Sequence, residues 1–207
     1  MDALKTFIAL LALINPLGVL PTPIRLAPGY RLKEKRRTIR ITAFTVISVV
    51  TVCALLGEQI IAFFGISTAS LQVAGGLLIL LMALNMLNAK MGGARTTDEE
   101  LDEAEHKNTL GVVPLGIPLL TGPGAISTVI VYADKAKGAM DYAVIIGCGV
   151  GIAALVWITL QLADPINRIM GRSGINIATR IMGLLVAAVA VEFIVEGLKT
   201  MLPALAR

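Results

Sequence analysis

The sequence predicts an all-α polytopic membrane protein: six transmembrane helices, arranged as two inverted three-helix repeats, with helices one and four broken. Three observations carry this. Charge is scarce and clustered: hydrophobic residues make up 56% of the 207, charged residues 15%, and mean hydropathy is +0.82. A single shift of 107 residues matches two separate stretches of the first half to two of the second. Pro/Gly clusters interrupt the apolar runs at corresponding depths in both halves. Soluble domains average about 45–50% apolar and about 25% charged residues, whereas the charge-poor stretches here run 20 residues or more, long enough to cross a bilayer.

The first span is read as Leu4–Leu26. Its opening "KTFIALLALI" has the look of a signal-peptide core, but no small-x-small cleavage site follows and Asn15-Pro16-Leu17-Gly18 interrupts it, so it is read as a retained span. Spans two and three are Thr38–Phe64 and Ser67–Leu87. A polar loop, Asn88–Asn108, carries "TTDEELDEAEHK" and is read as solvated. Spans four, five and six are Leu110–Ala133, Asp141–Leu162 and Ile175–Leu202. Each reaches the ~20 residues that a crossing needs. The chain is one membrane domain, with repeat one over about 1–88, a loop over 89–108 and repeat two over about 109–207.

Orientation follows from Lys and Arg. Thirteen lie in the first, third and fifth connections: Arg25, Arg31, Lys33, Lys35, Arg36, Arg37, Arg40, Lys90, Arg95, Lys107, Arg168, Arg172 and Arg180. Five lie on the other side: Lys5, Lys135, Lys137, Lys199 and Arg207. The positive-inside rule puts the thirteen in the cytoplasm and both termini outside, and acidic residues count little in that rule. The net charge of +4 is thereby a topological signal rather than one for nucleic acid.

Under the 107-residue shift Leu13 and Pro16 fall on Leu120 and Pro123, and Gly76, Leu77, Leu78 and Ala83 fall on Gly183, Leu184, Leu185 and Ala190. Three spans is an odd number, so the second copy enters from the opposite side, as in the inverted repeats of many secondary transporters.

The breaks are Asn15-Pro16-Leu17-Gly18 and Thr121-Gly122-Pro123-Gly124. Eleven residues precede each within its span, Leu4–Ile14 and Leu110–Leu120. As helix these rise ~16 Å, about half of a ~30 Å hydrocarbon core. Proline removes a donor and clashes with the preceding turn, and freed backbone groups survive in a membrane only when buried in protein or facing a wet cavity. The half-helix that starts at Gly124–Ser127 offers N–H groups and positive potential to a carboxylate, and the end of the first half-helix offers carbonyls to an ammonium group. The candidate substrate-binding residues are therefore Asn15, Pro16, Gly18, Thr121, Gly122, Pro123, Gly124, Ser127 and Thr128. Proline and glycine are common in membrane helices for packing reasons alone, but two breaks at equal depth favour a site.

Glu192 lies mid-span in "AVAVEFIVEGLK", and its counterpart under the shift is Asn85. Intramembrane carboxylates are costly and default to functional roles, so Glu192, with Asn85, is the candidate for proton coupling; an interhelical hydrogen bond is the structural alternative. Glu196, one turn on, is a fallback partner. Gly147 and Gly151 have GxxxG spacing, which suits close helix packing within the chain or between copies in a homo-oligomer. Cys53 and Cys148 sit in apolar runs, and the single His106 lies in the polar loop, so no metal site, cofactor or His-based catalytic set is expected and the chain is not read as an enzyme.

The stretches "NPLGVLP", "VPLGIPLLTGPGAIS" and "GINIATRIMGLL" resemble the MarC family of six-span bacterial inner-membrane proteins. The resemblance extends over nearly the whole chain. It implies an inner-membrane protein; some members are described as transporters of small neutral amino acids such as glycine and alanine, and the family name refers to a multiple-antibiotic-resistance locus. The expectation is a secondary transporter of a small neutral amino acid or similar zwitterion, with membrane lipid as its other partner. A non-transporting scaffold or sensor and a resistance-associated efflux protein are the alternatives.

Overall fold

The computed structural model describes residues 2–20, 32–88 and 120–202. These form α1 (Ala3–Ile14), a 3-10 turn (Pro16–Val19), α2 (Leu32–Phe63), α3 (Thr68–Leu87), α4 (Pro123–Asp134), α5 (Ala139–Gln161) and α6 (Ala163–Met201). No strand occurs among the described residues. Four helical stretches are long and apolar enough to cross a membrane, Lys35–Phe63, Thr68–Leu87, Ala139–Gln161 and Ser173–Met201. α1 and α4 have 12 residues each, about 18 Å of helix, too short to cross alone. The parts of spans one and four that would complete them, and the loop with His106, lie outside the described residues.

Local chemistry sets the ends. The Asp2 carboxylate accepts from the Leu4 and Lys5 N–H groups at 3.1 and 3.4 Å, capping α1. α2 stops where Gly65 takes φ +66°: the Ile66 N–H donates to the Ile61 carbonyl and the Gly65 N–H to that of Ala62, both at 3.0 Å, a Schellman ending that only glycine adopts cheaply. Ser67 then caps α3, its hydroxyl accepting from the Ser70 N–H at 3.1 Å. α2 and α3 are thereby joined by a four-residue connection, Phe64–Ser67.

Two boundaries differ from the sequence expectation. α2 begins at Leu32 rather than Thr38, because Lys, Glu and Arg are good helix formers whatever their hydropathy. α6 begins at Ala163 rather than Ile175 and is interrupted at Gly171, whose φ of +60° and ψ of −179° are not helical. The stretch ahead of that break is amphipathic: Ala163, Ile166 and Met170 pack with Leu20 and Ile175 in a small apolar cluster, and Lys35 holds Asp164 in a 2.6 Å ion pair.

The main core joins residues from α1 through α6. α2 packs along α5, α3 packs most extensively along α6, and α4 wedges between α2 and α3. Close approach along α3 and α6 depends on glycine, since a side chain at either contact would meet backbone. A Cβ on Gly76 would lie 3.1 Å from both the Ala190 carbonyl oxygen and the Ile194 nitrogen. One on Gly183 would lie 3.2 Å from both the Ala83 oxygen and the Leu87 nitrogen. The two contacts use the same three positions of each helix, 76, 83 and 87 in α3 and 183, 190 and 194 in α6, displaced by 107 residues. Burial follows the same displacement: Ile79, Ala83 and Met86 of α3 are buried, and so are Val186, Ala190 and Phe193 of α6.

Candidate functional site

The chain departs from helical geometry at both expected breaks. α1 ends at Ile14, and Asn15 takes a left-handed conformation, φ 42°, with its N–H donating to the Leu11 carbonyl at 2.9 Å. Asparagine tolerates this region better than most residues with a Cβ. Its side chain turns back into the break, where Oδ1 accepts from the Gly18 N–H at 3.3 Å. Pro16 is buried and opens the 3-10 turn, and Gly18 is half-buried, held close over the Asn15 amide.

At the second break Gly122 caps α4 and Pro123 occupies its first position, where a missing N–H costs nothing. The Ala125 and Ile126 N–H groups both donate to the Gly122 carbonyl, at 3.0 and 3.1 Å. Ser127 and Thr128 turn their hydroxyls back onto the Gly124 carbonyl, at 3.1 and 2.8 Å. The free donors expected here therefore reduce to the Gly124 N–H, which has no acceptor among the described residues. Oxygens of Ser127 and Thr128 keep accepting capacity, since donating leaves a hydroxyl's lone pairs available.

Much of each break is buried, Asn15 being 2% exposed, Thr121 1%, Ser127 4% and Thr128 0%, whereas Pro123 is exposed. Ile14 and Leu120, the residues just before each break, belong to one contiguous apolar cluster, and α1 touches α4. Ser127 lies against Gly75 of α3, and Gly124 against Ile79. Beside Thr121, the gap bordered by Val50, Cys53, Ala125 and Val129 is too small for a water molecule. Among the described residues, polar atoms at the breaks are thus enclosed, with no water-sized space beside Thr121.

Glu192 and Asn85 are not brought into this cluster. Glu192 is exposed on α6, and Asn85 is half-buried on α3. The Tyr132 ring meets Phe193 edge-on, centroids 6.3 Å apart.

A polar cluster at the end of α4 was not singled out in the sequence. Glu196 accepts from Lys135 Nζ at 2.8 Å and from Gln72 Nε2 at 3.1 Å. Thr68 donates to Asp134 at 3.0 Å. These bonds fasten α4 to α3 and α6 at the end away from its break. Gln72, an amide inside an apolar span and 3% exposed, is the signal that could have found the cluster. Of the GxxxG pair, Gly151 faces Phe7 within the chain, whereas Gly147 faces open space.

A family model described as MarC family integral membrane protein matches residues 2–202. The UPF0056 membrane protein YhcE of Escherichia coli is 37% identical over 205 residues, spanning 97% of this chain and 94% of that protein. A UPF0056 membrane protein of Aquifex aeolicus is 33% identical, spanning 96% of this chain and 92% of its own length. UPF0056 membrane protein MJ1677 of Methanocaldococcus jannaschii is 33% identical, spanning 93% and 94%. No solved structure matches. With the match running from α1 to the end of α6, this chain is a multi-pass membrane protein of the MarC family.

Proposed function

We propose that the chain is a secondary transporter of a small neutral amino acid, built as two inverted three-span repeats whose broken first and fourth helices share one site. The observation that carries the proposal is the pair of breaks at positions 15–18 and 121–124, buried against one core. Matched breaks in the two halves of a membrane chain are the best sequence-level pointer to a transporter's binding site. The reciprocal contacts of Gly76 and Gly183, 107 residues apart, support the repeat. The Gly124 N–H and the hydroxyl oxygens of Ser127 and Thr128 suit the two ends of a zwitterion, and Asn15, Pro16, Gly18, Thr121, Gly122 and Pro123 shape the space around it. In this reading the close packing beside Thr121 loosens for substrate to enter.

In this reading the protein sits in the inner membrane, its basic connections cytoplasmic and both termini periplasmic. Coupling to protons runs through Glu192, with Asn85 as its counterpart. An exposed carboxylate within an apolar helix costs about 2.5–3.5 kcal/mol on insertion scales, which argues for a retained role. The test is counterflow of labelled alanine in proteoliposomes, with and without a pH gradient. Absence of flux across a broad amino-acid panel rules the transporter out. Glu192→Gln should fold normally and lose gradient dependence; unchanged dependence removes Glu192 from the mechanism.

A further inference from the structure

At the basic end of the molecule, a groove of about 430 Å³ opens between the first turns of α2 and the last turns of α5. Among the described residues it is lined by Arg36, Arg40, Trp157 and Gln161. All four side chains are hydrogen-bond donors and none is a carboxylate. No side chain of the four makes a hydrogen bond or ion pair with another described residue. Asp164, the acidic residue nearby in sequence to Gln161, is engaged by Lys35 at 2.6 Å instead.

That arrangement calls for an anion. Arg36 and Arg40 stand one helical turn apart, and like charges at that spacing repel. They are level with Gln161 and Trp157, which stand one turn apart at the end of α5. Arginine forks match phosphate oxygens bidentately, and tryptophan favours the headgroup level of a bilayer. The groove is open toward lipid: Trp157 is 40% exposed and its neighbour Ile158 44%, while Phe44, one turn inward from Arg40, is 70% exposed. A free phosphate would have no use for this apolar continuation, whereas an acyl chain would lie along it.

We propose that this groove binds the phosphate of an anionic phospholipid, Arg36 and Arg40 clasping the headgroup, Gln161 and the Trp157 indole N–H donating to it, and Phe44 receiving the start of an acyl chain. Basic pockets between transmembrane helices are known headgroup sites in other proteins. The positive-inside rule accounts for the number of arginines but not for unpaired donors converging on one lateral groove.

Trp157 is the single tryptophan of the chain, so its fluorescence reports on the groove alone. The full chain is reconstituted in phosphatidylcholine vesicles containing a minor fraction of brominated phosphatidylglycerol or, in parallel, brominated phosphatidylcholine. Two arginines near the surface, at about 1 kcal/mol each, translate into a roughly ten- to thirty-fold preference for the anionic quencher at low salt. R36Q/R40Q should lose that preference and R36K/R40K should keep most of it. Equal quenching by the two lipids in the wild-type chain, or a preference undiminished in R36Q/R40Q, overturns the proposal. So does suppression by millimolar inorganic phosphate, which identifies a soluble anion as the occupant. Should R36Q/R40Q not fold, R40Q alone is read the same way. The readout is independent of transport, and its outcome leaves the alanine flux test untouched.

Discussion

Gly76→Ala and Gly183→Ala probe the paired close contacts between α3 and α6. The added methyl at Gly76 would sit 2.6 Å from Ile194 Cγ1 and 3.1 Å from two α6 backbone atoms; at Gly183 the nearest atom is Met86 Cβ at 2.9 Å, with two α3 backbone atoms at 3.2 Å. Carbon atoms pack comfortably at about 3.5–4.0 Å. Side chains can yield that difference, but the backbone atoms of a packed helix yield only if the whole helix moves. Overpacking of this kind costs about 1–3 kcal/mol, offset by the ~1 kcal/mol by which alanine outranks glycine in a helix. Each variant should therefore lose about 1 kcal/mol, and the larger Gly→Val changes about 2–3 kcal/mol. The two contacts are 7 to 11 residues apart along α3, from Gly76 to Ala83 and Leu87, about 10–16 Å, so local strain should add in the double variant. Unfolding in mixed micelles with rising dodecyl sulfate, followed by Trp157 fluorescence, measures all of these. Variants as stable as the wild type, or a cost at one glycine and none at its counterpart, would refute the reasoning.

Other expectations are as specific. Gly147→Ala meets open space, so it should stabilise the monomer by up to about 1 kcal/mol in the same assay; a shift to lower oligomers on size-exclusion would place Gly147 against a second copy instead. Asn15→Gly should cost less than Asn15→Ala, because the left-handed backbone at φ 42° penalises alanine by about 1–2 kcal/mol, while both lose the bond to the Gly18 N–H. Thr128→Val removes a buried 2.8 Å bond to the Gly124 carbonyl with little change in shape, for a loss of about 0.5–1.5 kcal/mol by thermal unfolding. Lys135→Met breaks an ion pair whose partners are 48% and 49% exposed, so stability should fall by less than about 1 kcal/mol; a larger loss would mean that Lys135 and Glu196 carry the packing of α4.

The breaks were legible because their cause is local. Proline and glycine act on their own backbone, so Asn15–Gly18 and Thr121–Gly124 could be placed from the chain alone, and α1 and α4 begin or end there. That Gly76 and Gly183 correspond was legible as a shared displacement, but their part in the packing of α3 on α6 needed coordinates. Hydropathy missed what is helical without being apolar: the basic first turns of α2, and the amphipathic stretch before Gly171 that buries Ala163 and half-buries Ile166 and Met170. It also missed the joining of Gln72, Lys135 and Glu196, three residues separated by up to 124 positions. Which way Glu192 points depends on how α6 is rotated against α3, and periodicity in a uniformly apolar helix carries almost no information about rotation.

The pairing of α3 with α6 also has a timetable. Ribosomes add about 5–20 residues per second, and the contact of Gly76 with Ile194 joins positions 118 residues apart. For roughly 6–24 seconds of each synthesis, at that elongation rate, the glycine face of α3 waits in the bilayer without its mate. A neighbouring nascent chain offers the same face during that interval. Whatever holds α3 until α6 is inserted, whether the insertion machinery or a lipid, protects the protein from exchanging halves with its twin.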